Sequence, residues 1–137
     1  MNEDFSEEDL INHRLNKARV NFEEAKGAAK AGFLNSSINR LYYSCFYAVT
    51  ALLFKENINA KTHSGVRHML GLHFIETGKI SRELGKFYST LFESRQQNDY
   101  EDFFVIEDEF LIKLITETEE FIAAIEAYIA KGSQNKS

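Results

Sequence analysis

The 137-residue sequence contains no proline and no tryptophan, and its only cysteine is Cys45. Because proline is the residue that most often stops or kinks a helix, its absence favours long helices joined by Gly, Asn and Ser turns. A single cysteine cannot form an intramolecular disulfide, so nothing indicates a secreted disulfide framework and a reducing cytoplasm fits best. No apolar run approaches the roughly 18 residues that span a bilayer, and the acidic segment 1–10 resembles no targeting peptide. We therefore expect a soluble, cytoplasmic protein that does not contact membranes.

Positive charge is also scarce, since 16 Lys and Arg stand against 21 Asp and Glu, which gives a formal charge of −5. Such a surface does not attract nucleic acid as a whole, so only a local basic site could bind RNA or DNA. The hydrophobic share of 44% is typical of a globular protein. We expect one domain over residues 1–137, with frayed ends at about 1–5 and 132–137.

Apolar residues recur at helical spacing along nearly the whole chain. The pattern predicts helices at about 6–31, 35–56, 62–78, from Ser81 to about Arg95, and a last one ending at about Ala130. Ser6 with Asp9 resembles a capping box, Gly32 is a natural stop, and Thr62 and Ser81 are good N-caps. Short connections favour antiparallel neighbours, so we predict an all-α, up-and-down four-helix bundle with one additional short helix.

The second helix is too apolar for an ordinary bundle helix, because a second face lies opposite its Leu41/Cys45 stripe. That face carries Ser36, Arg40, Tyr43, Tyr47, Thr50 and Phe54. One interpretation is a central helix whose rings pack on a neighbouring helix or on a second subunit, with Tyr47 and Phe54 at a dimer interface. The other is a pocket in which Arg40 binds an anionic group between tyrosines, since a guanidinium fits phosphate well.

Arg95 falls on the buried stripe of its helix, where an arginine needs a partner. Asp99 could supply it as an i, i+4 ion pair, which is a purely structural role. Alternatively, Arg95 points into a cleft at the end of the bundle that it shares with Tyr100 and the polar segment 98–102, where the helical pattern breaks.

Lys61 and His63 flank the start of the third helix, where free N–H groups and the helix dipole favour an anion. An N-cap beside a solvated lysine explains the same residues without a ligand. His63, His68 and His73 are five residues apart and scatter around a helix, so we expect no metal site. No phosphate loop, nucleophile elbow or paired-cysteine motif is present, and we expect no cofactor. Cys45 is expected in the core.

Three segments carry a resemblance to a known family: Asn39-Arg40-Leu41-Tyr42-Tyr43-Ser44-Cys45-Phe46-Tyr47-Ala48, Lys61-Thr62-His63-Ser64-Gly65-Val66 and Phe92-Glu93-Ser94-Arg95-Gln96-Gln97-Asn98-Asp99-Tyr100. Together they resemble the HEPN family (higher eukaryotes and prokaryotes nucleotide-binding), particularly its short, stand-alone prokaryotic members. The resemblance implies a dimeric helical bundle that pairs with a small nucleotidyltransferase in a toxin–antitoxin or related system.

Active relatives are metal-independent ribonucleases with an Arg, four to six residues, then a His. The resemblance places that arginine at Arg95, but Tyr100 stands where the histidine is expected. A phenol with a pKa of about 10 is a poor general base at neutral pH, so the departure weakens the case for catalysis.

The leading hypothesis is a HEPN-like homodimer that binds a nucleotide, RNA or a nucleotidyltransferase through Arg40, Tyr43, Lys61, His63, Arg95, Asp99 and Tyr100. A ribonuclease toxin with Arg95 and Tyr100 in the catalytic site is the alternative from the enzyme class. A third hypothesis is an assembly subunit whose only functional surface is the aromatic face of the second helix.

Overall fold

A computed structural model of the protein describes residues 6–134, and within them every regular element is helical. The elements are α1 (Glu7–Lys30), α2 (Leu34–Lys55), α3 (His63–Leu70), a π-helical turn (Gly71–Ile75), α4 (Arg82–Tyr100) and α5 (Asp108–Gln134). The predicted all-α class is confirmed. No described helix is both long and apolar enough to cross a membrane.

The predicted caps form as the sequence indicates. Ser6 Oγ accepts from the Asp9 backbone at 3.1 Å, and the Asp9 carboxylate accepts from the Ser6 backbone at the same distance. Thr62 and Ser81 cap α3 and α4 by accepting from backbone N–H groups three residues later. Gly32 adopts a φ of 85°, a left-handed conformation that turns the chain sharply into α2.

Three boundaries differ from the prediction. The third helix is α-helical only to Leu70 and widens into the π-helical turn, where the predicted helix continued to Gly78. α4 continues through the polar segment to Tyr100, because Asn98 is held there by Asn35: its Nδ2 donates to the Asn35 carbonyl at 3.0 Å. α5 extends to Gln134, beyond the predicted end; residues 1–5 and 135–137, where fraying was also predicted, lie outside the described residues.

The helices run alternately up and down. The contact of Asn35 with Asn98 brings the start of α2 to the end of α4, so these helices are antiparallel. α1 and α5 are also antiparallel, since a groove brings Glu7 and Ile11 of α1 beside Glu126 and Ile129 near the end of α5. The predicted bundle with one extra short helix is therefore present, with α3 and the π-helical turn as the addition.

α2 is the central helix and contacts the four other α-helices. It packs closely on α1, because Ser37 and Ser44 donate their hydroxyl protons to the carbonyls of Ala25 and Ala18 at 2.8 and 2.7 Å. The predicted core stripes are largely buried or half-buried, although Phe110 is 37% exposed, because it lies in the first turn of α5, where fewer helices cover it. The central position of α2 explains why its second face is aromatic.

Candidate functional site

Arg95 lies near the end of α4 and points back onto α2. Its guanidinium carbon lies 5.2 Å from the ring centre of Tyr42 and 5.4 Å from that of Tyr43. Nη2 donates to the Tyr43 hydroxyl at 3.1 Å. Because the side chain is only 20% exposed, these cation–π contacts act in a partly desolvated setting, where they are stronger than on an open surface.

Asp99 supplies the counter-charge that the sequence predicted. Its Oδ2 lies 3.0 Å from Nε of Arg95, close enough for an ion pair, although the N–H is not aligned with the oxygen as a hydrogen bond. The Asp99 side chain is 31% exposed, so one edge of the pair faces solvent. Asp99 thus forms the predicted ion pair with Arg95. Because one edge of the pair is accessible, another anion could compete with Asp99 for the guanidinium.

His63 joins this cluster from the first turn of α3. Its Nδ1 lies 2.7 Å from the hydroxyl of Tyr42, a residue with no exposed surface. Burial raises the pKa of Tyr42 to about 12, so the hydroxyl keeps its proton at neutral pH and can donate it to Nδ1. Tyr42 donates in this bond when the imidazole proton is on Nε2, and it accepts when that proton is on Nδ1.

The charge state of His63 follows from its surroundings. Burial lowers the pKa of His63 below its usual value, and the positive charge of Arg95 lowers it further. The ring of Phe46 stacks on the imidazole with 4.5 Å between ring centres. His63 is therefore neutral at pH 7 and lies between an arginine and an aromatic wall.

The structure brings together four of the predicted residues, namely Tyr43, His63, Arg95 and Asp99. Arg40 is elsewhere: its Nη1 donates to Asn21 Oδ1 at 3.1 Å and lies 3.7 Å from Glu24, both on α1. Arg40 does line a groove with Tyr43 and Tyr47, as predicted, but Glu24 already offsets its charge there.

Tyr100 does not join the cluster. Its side chain is 80% exposed at the end of α4, and five residues of helix place it about 140° around the axis from Arg95. Lys61 lies instead at the edge of a cavity on the other side of His63. His63 therefore belongs to the Arg95 cluster, whereas Tyr100 and Lys61 do not.

Tyr47 and Phe54 face α1 of the same chain. Lys17 Nζ lies 4.9 Å from the ring centre of Tyr47, and the guanidinium of Arg14 lies 5.5 Å from that of Phe54. Both rings remain half-buried. Packing on a neighbouring helix thus accounts for part of the aromatic face.

Sequence reasoning missed Tyr42 and Phe46, although both shape the site. A signal was available for Tyr42, because Ile38, Tyr42, Cys45 and Val49 are spaced 4, 3 and 4 residues apart, as expected of a buried helical stripe.

Cys45 lies in the core as predicted, and burial raises the pKa of its thiol. Within residues 6–134, no three His, Cys, Asp or Glu side chains are close enough together to hold a metal ion.

Comparison with known proteins gives a consistent assignment. The family model of the HEPN domain matches residues 11–128. A UPF0332 protein of Thermotoga maritima is 39% identical over 89% of this chain and 92% of its own length. A protein of Methanocaldococcus jannaschii named "Putative toxin" is 32% identical over 73% of each chain, and a second so named from that organism is 36% identical over 64% of this chain and 59% of its own.

Proposed function

Because the chain belongs to the HEPN family, we propose that it is the binding component of a toxin–antitoxin-like system and recognises the phosphate of a nucleotide or RNA through Arg95. Two relatives carry the name of a toxin, which supports the biological setting. The observation that carries the proposal is the position of Arg95, held between two tyrosine rings with one edge accessible beside Asp99.

Phosphate recognition follows from the chemistry of this position. A guanidinium presents a planar set of N–H donors that matches two phosphate oxygens, and its charge does not titrate at physiological pH. The rings of Tyr42 and Tyr43 fix the plane of the guanidinium, which reduces the entropy lost when a ligand binds. A phosphate would approach from the exposed edge and take the place of the Asp99 carboxylate.

Competition between Asp99 and the ligand gives a sharp test. Asp99→Asn removes the competing charge, so it should increase the affinity for RNA that carries a 5′-hydroxyl, whereas Arg95→Gln should abolish binding of that RNA. Arg82→Gln is a matched control, because Arg82 is exposed at the opposite end of α4. Binding is measured by isothermal titration calorimetry with an oligoribonucleotide that has a 5′-hydroxyl, so that all its phosphates are diesters. Unchanged affinity in Arg95→Gln, or weaker binding in Asp99→Asn, contradicts the proposal.

A nucleotidyltransferase is the proposed protein partner, as expected for the toxin-system setting. Co-expression with a nucleotidyltransferase encoded beside this chain, followed by affinity purification, should recover both proteins in a fixed ratio.

We also propose a homodimer with Tyr47 and Phe54 at its interface. Tyr47→Ala with Phe54→Ala should then yield a monomer by sedimentation analysis. A folded double variant that remains dimeric excludes this interface.

A second candidate function is metal-independent RNA cleavage, and the position of His63 favours it. His63 is neutral at pH 7 and lies in the cluster of Arg95. With its proton on Nδ1, directed at Tyr42, its Nε2 could accept the proton of a ribose 2′-hydroxyl while Arg95 stabilises the phosphate. His63→Gln and Arg95→Gln should then abolish cleavage of structured RNA, whereas Tyr100→Phe should not affect it. Absence of any cleavage that depends on Arg95 leaves only the binding role.

A further inference from the structure

A cavity of about 450 Å³ opens between α1, α2 and the first turn of α3. Its size lies within the usual range for small-molecule sites. Five of its lining residues carry cationic or titratable nitrogen groups: His13, Arg14, Lys17, Lys61 and His63. None of the residues that line it is an aspartate or a glutamate.

The cations of this cavity lack carboxylate partners. Arg14, Lys17 and Lys61 form no ion pair with any residue in the described part of the chain. By contrast, four other arginines each pair with a carboxylate, namely Arg19, Arg40, Arg67 and Arg95. In a chain with a net charge of −5, this cavity is therefore lined by three positive charges and by no carboxylate.

Aromatic contacts hold two of these cations at the wall of the cavity. Lys17 lies over Tyr47, which itself lines the cavity, and Arg14 lies over Phe54 two turns further along α2. Their charges are thus positioned before any ligand arrives, which lowers the entropy lost on binding.

The start of α3 adds hydrogen-bond donors to the same cavity. Thr62 Oγ1 accepts from the Gly65 N–H at 2.9 Å, which leaves the backbone N–H of His63, a residue that lines the cavity, without an acceptor among the described residues. The helix dipole places partial positive charge at this end. The Nδ1 atom of His63 is engaged by Tyr42, so Nε2 is the ring nitrogen left to contact a ligand.

We infer that this cavity binds a phosphate monoester, at a site next to the Arg95 cluster and distinct from it. Arg14, Lys17 and Lys61 would neutralise the dianion, and the backbone N–H and the protonated Nε2 of His63 would hydrogen-bond its oxygens. The rings of Phe46 and Tyr47 would contact the organic group that carries the phosphate. The inference does not depend on the ligand proposed for Arg95.

The test uses the whole chain with inorganic phosphate as the probe. Lys17→Gln combined with Lys61→Gln should weaken phosphate binding roughly tenfold or more, because two charge-assisted contacts are lost. Both side chains are exposed, so the variant should fold. Lys30→Gln combined with Lys113→Gln removes the same charge from exposed positions outside the cavity and should leave the affinity unchanged.

Two further measurements distinguish this site from the Arg95 cluster. Arg95→Gln should retain phosphate binding, and in that variant phosphate should still raise the pKa of His63 as followed by NMR, because the bound dianion favours the imidazolium. An oligoribonucleotide with a 5′-phosphate that binds more tightly than its 5′-hydroxyl form identifies an RNA end as the source of the phosphate. Equal binding of the two forms excludes an RNA 5′ end and leaves a small phosphorylated molecule. No phosphate binding, or equal losses in the double variant and its control, would overturn the inference.

Discussion

The hydroxyl of Tyr42 lies 2.7 Å from Nδ1 of His63, and this bond ties the centre of α2 to the first residue of α3. Tyr42 has no exposed surface, whereas His63 reaches the basic cavity. The pair therefore connects the bundle core with the two proposed phosphate sites, one at Arg95 and the other beside Lys61.

Removal of the Tyr42 hydroxyl should destabilise the protein. In Tyr42→Phe the imidazole loses a partner inside the cluster, so the free energy of unfolding should fall by about 1 kcal/mol, measured by urea denaturation. Tyr128→Phe is the matched control, because its hydroxyl makes no hydrogen bond with another described residue, and it should change little. If the free energy of unfolding is the same in Tyr42→Phe and Tyr128→Phe, the bond between Tyr42 and His63 does not stabilise the protein.

The charge of Arg95 should control the titration of His63. Because this charge lowers the pKa of His63, Arg95→Gln should raise it, as measured by the pH dependence of the imidazole NMR signals. Arg82→Gln alters a distant exposed charge and should leave the midpoint in place. A midpoint that does not move in Arg95→Gln means that the two side chains are not electrostatically coupled.

Stability should depend on the protonation of His63 with a defined sign. The pKa of His63 is lower in the folded state than its usual value of 6.5, so the unfolded chain binds the proton more readily. The stabilising contribution is complete above pH 6.5 and is lost as the pH falls through the folded pKa. The difference in unfolding free energy between the wild type and His63→Gln should therefore shrink on acidification. His68→Gln, at an exposed position, should show no such trend.

Cys45 should be chemically inert in the folded protein. It is fully buried on α2, and burial raises the pKa of its thiol, so little thiolate is available to react. Alkylation by iodoacetamide should be slow in buffer and complete within minutes in denaturant, followed by mass spectrometry. Rapid labelling under native conditions would show that the core opens readily between α2 and α5.

The close contact of α1 with α2 should not tolerate larger residues. Ala18 is fully buried and accepts a hydrogen bond from Ser44 at 2.7 Å. Ala18→Leu should lower the free energy of unfolding by about 1–3 kcal/mol, because the added atoms force the helices apart. Ala123→Leu, at an exposed site on α5, is the control and should have little effect in the same denaturation experiment.

The position of Arg95 was partly predictable. Its place on an apolar stripe indicated burial, and the i, i+4 spacing identified Asp99 as its partner, because both follow from helical periodicity alone. The electrostatic influence of Arg95 on His63 was not predictable, since the two residues are 32 positions apart in the chain. Which helices meet at that point depends on the path of the connections between them.

The basic cavity had a partial signal as well. Residues 10–22 contain Arg14, Lys17 and Arg19 but no aspartate or glutamate, an unusual stretch for a chain of net charge −5. The sequence could not show that Arg19 would turn to Glu119 and Glu126 on α5 while Arg14 and Lys17 would face the start of α3.

The sequence by itself determined the all-α class, the capped starts of α1, α3 and α4, and most buried stripes, because caps and periodicity are local properties of the chain. Only the tertiary structure decided that His63 joins Arg95, that Arg40 pairs with Glu24 and that Tyr100 faces solvent. These outcomes depend on the rotation and crossing of helices that lie far apart in sequence, and packing of the whole core around α2 fixes both.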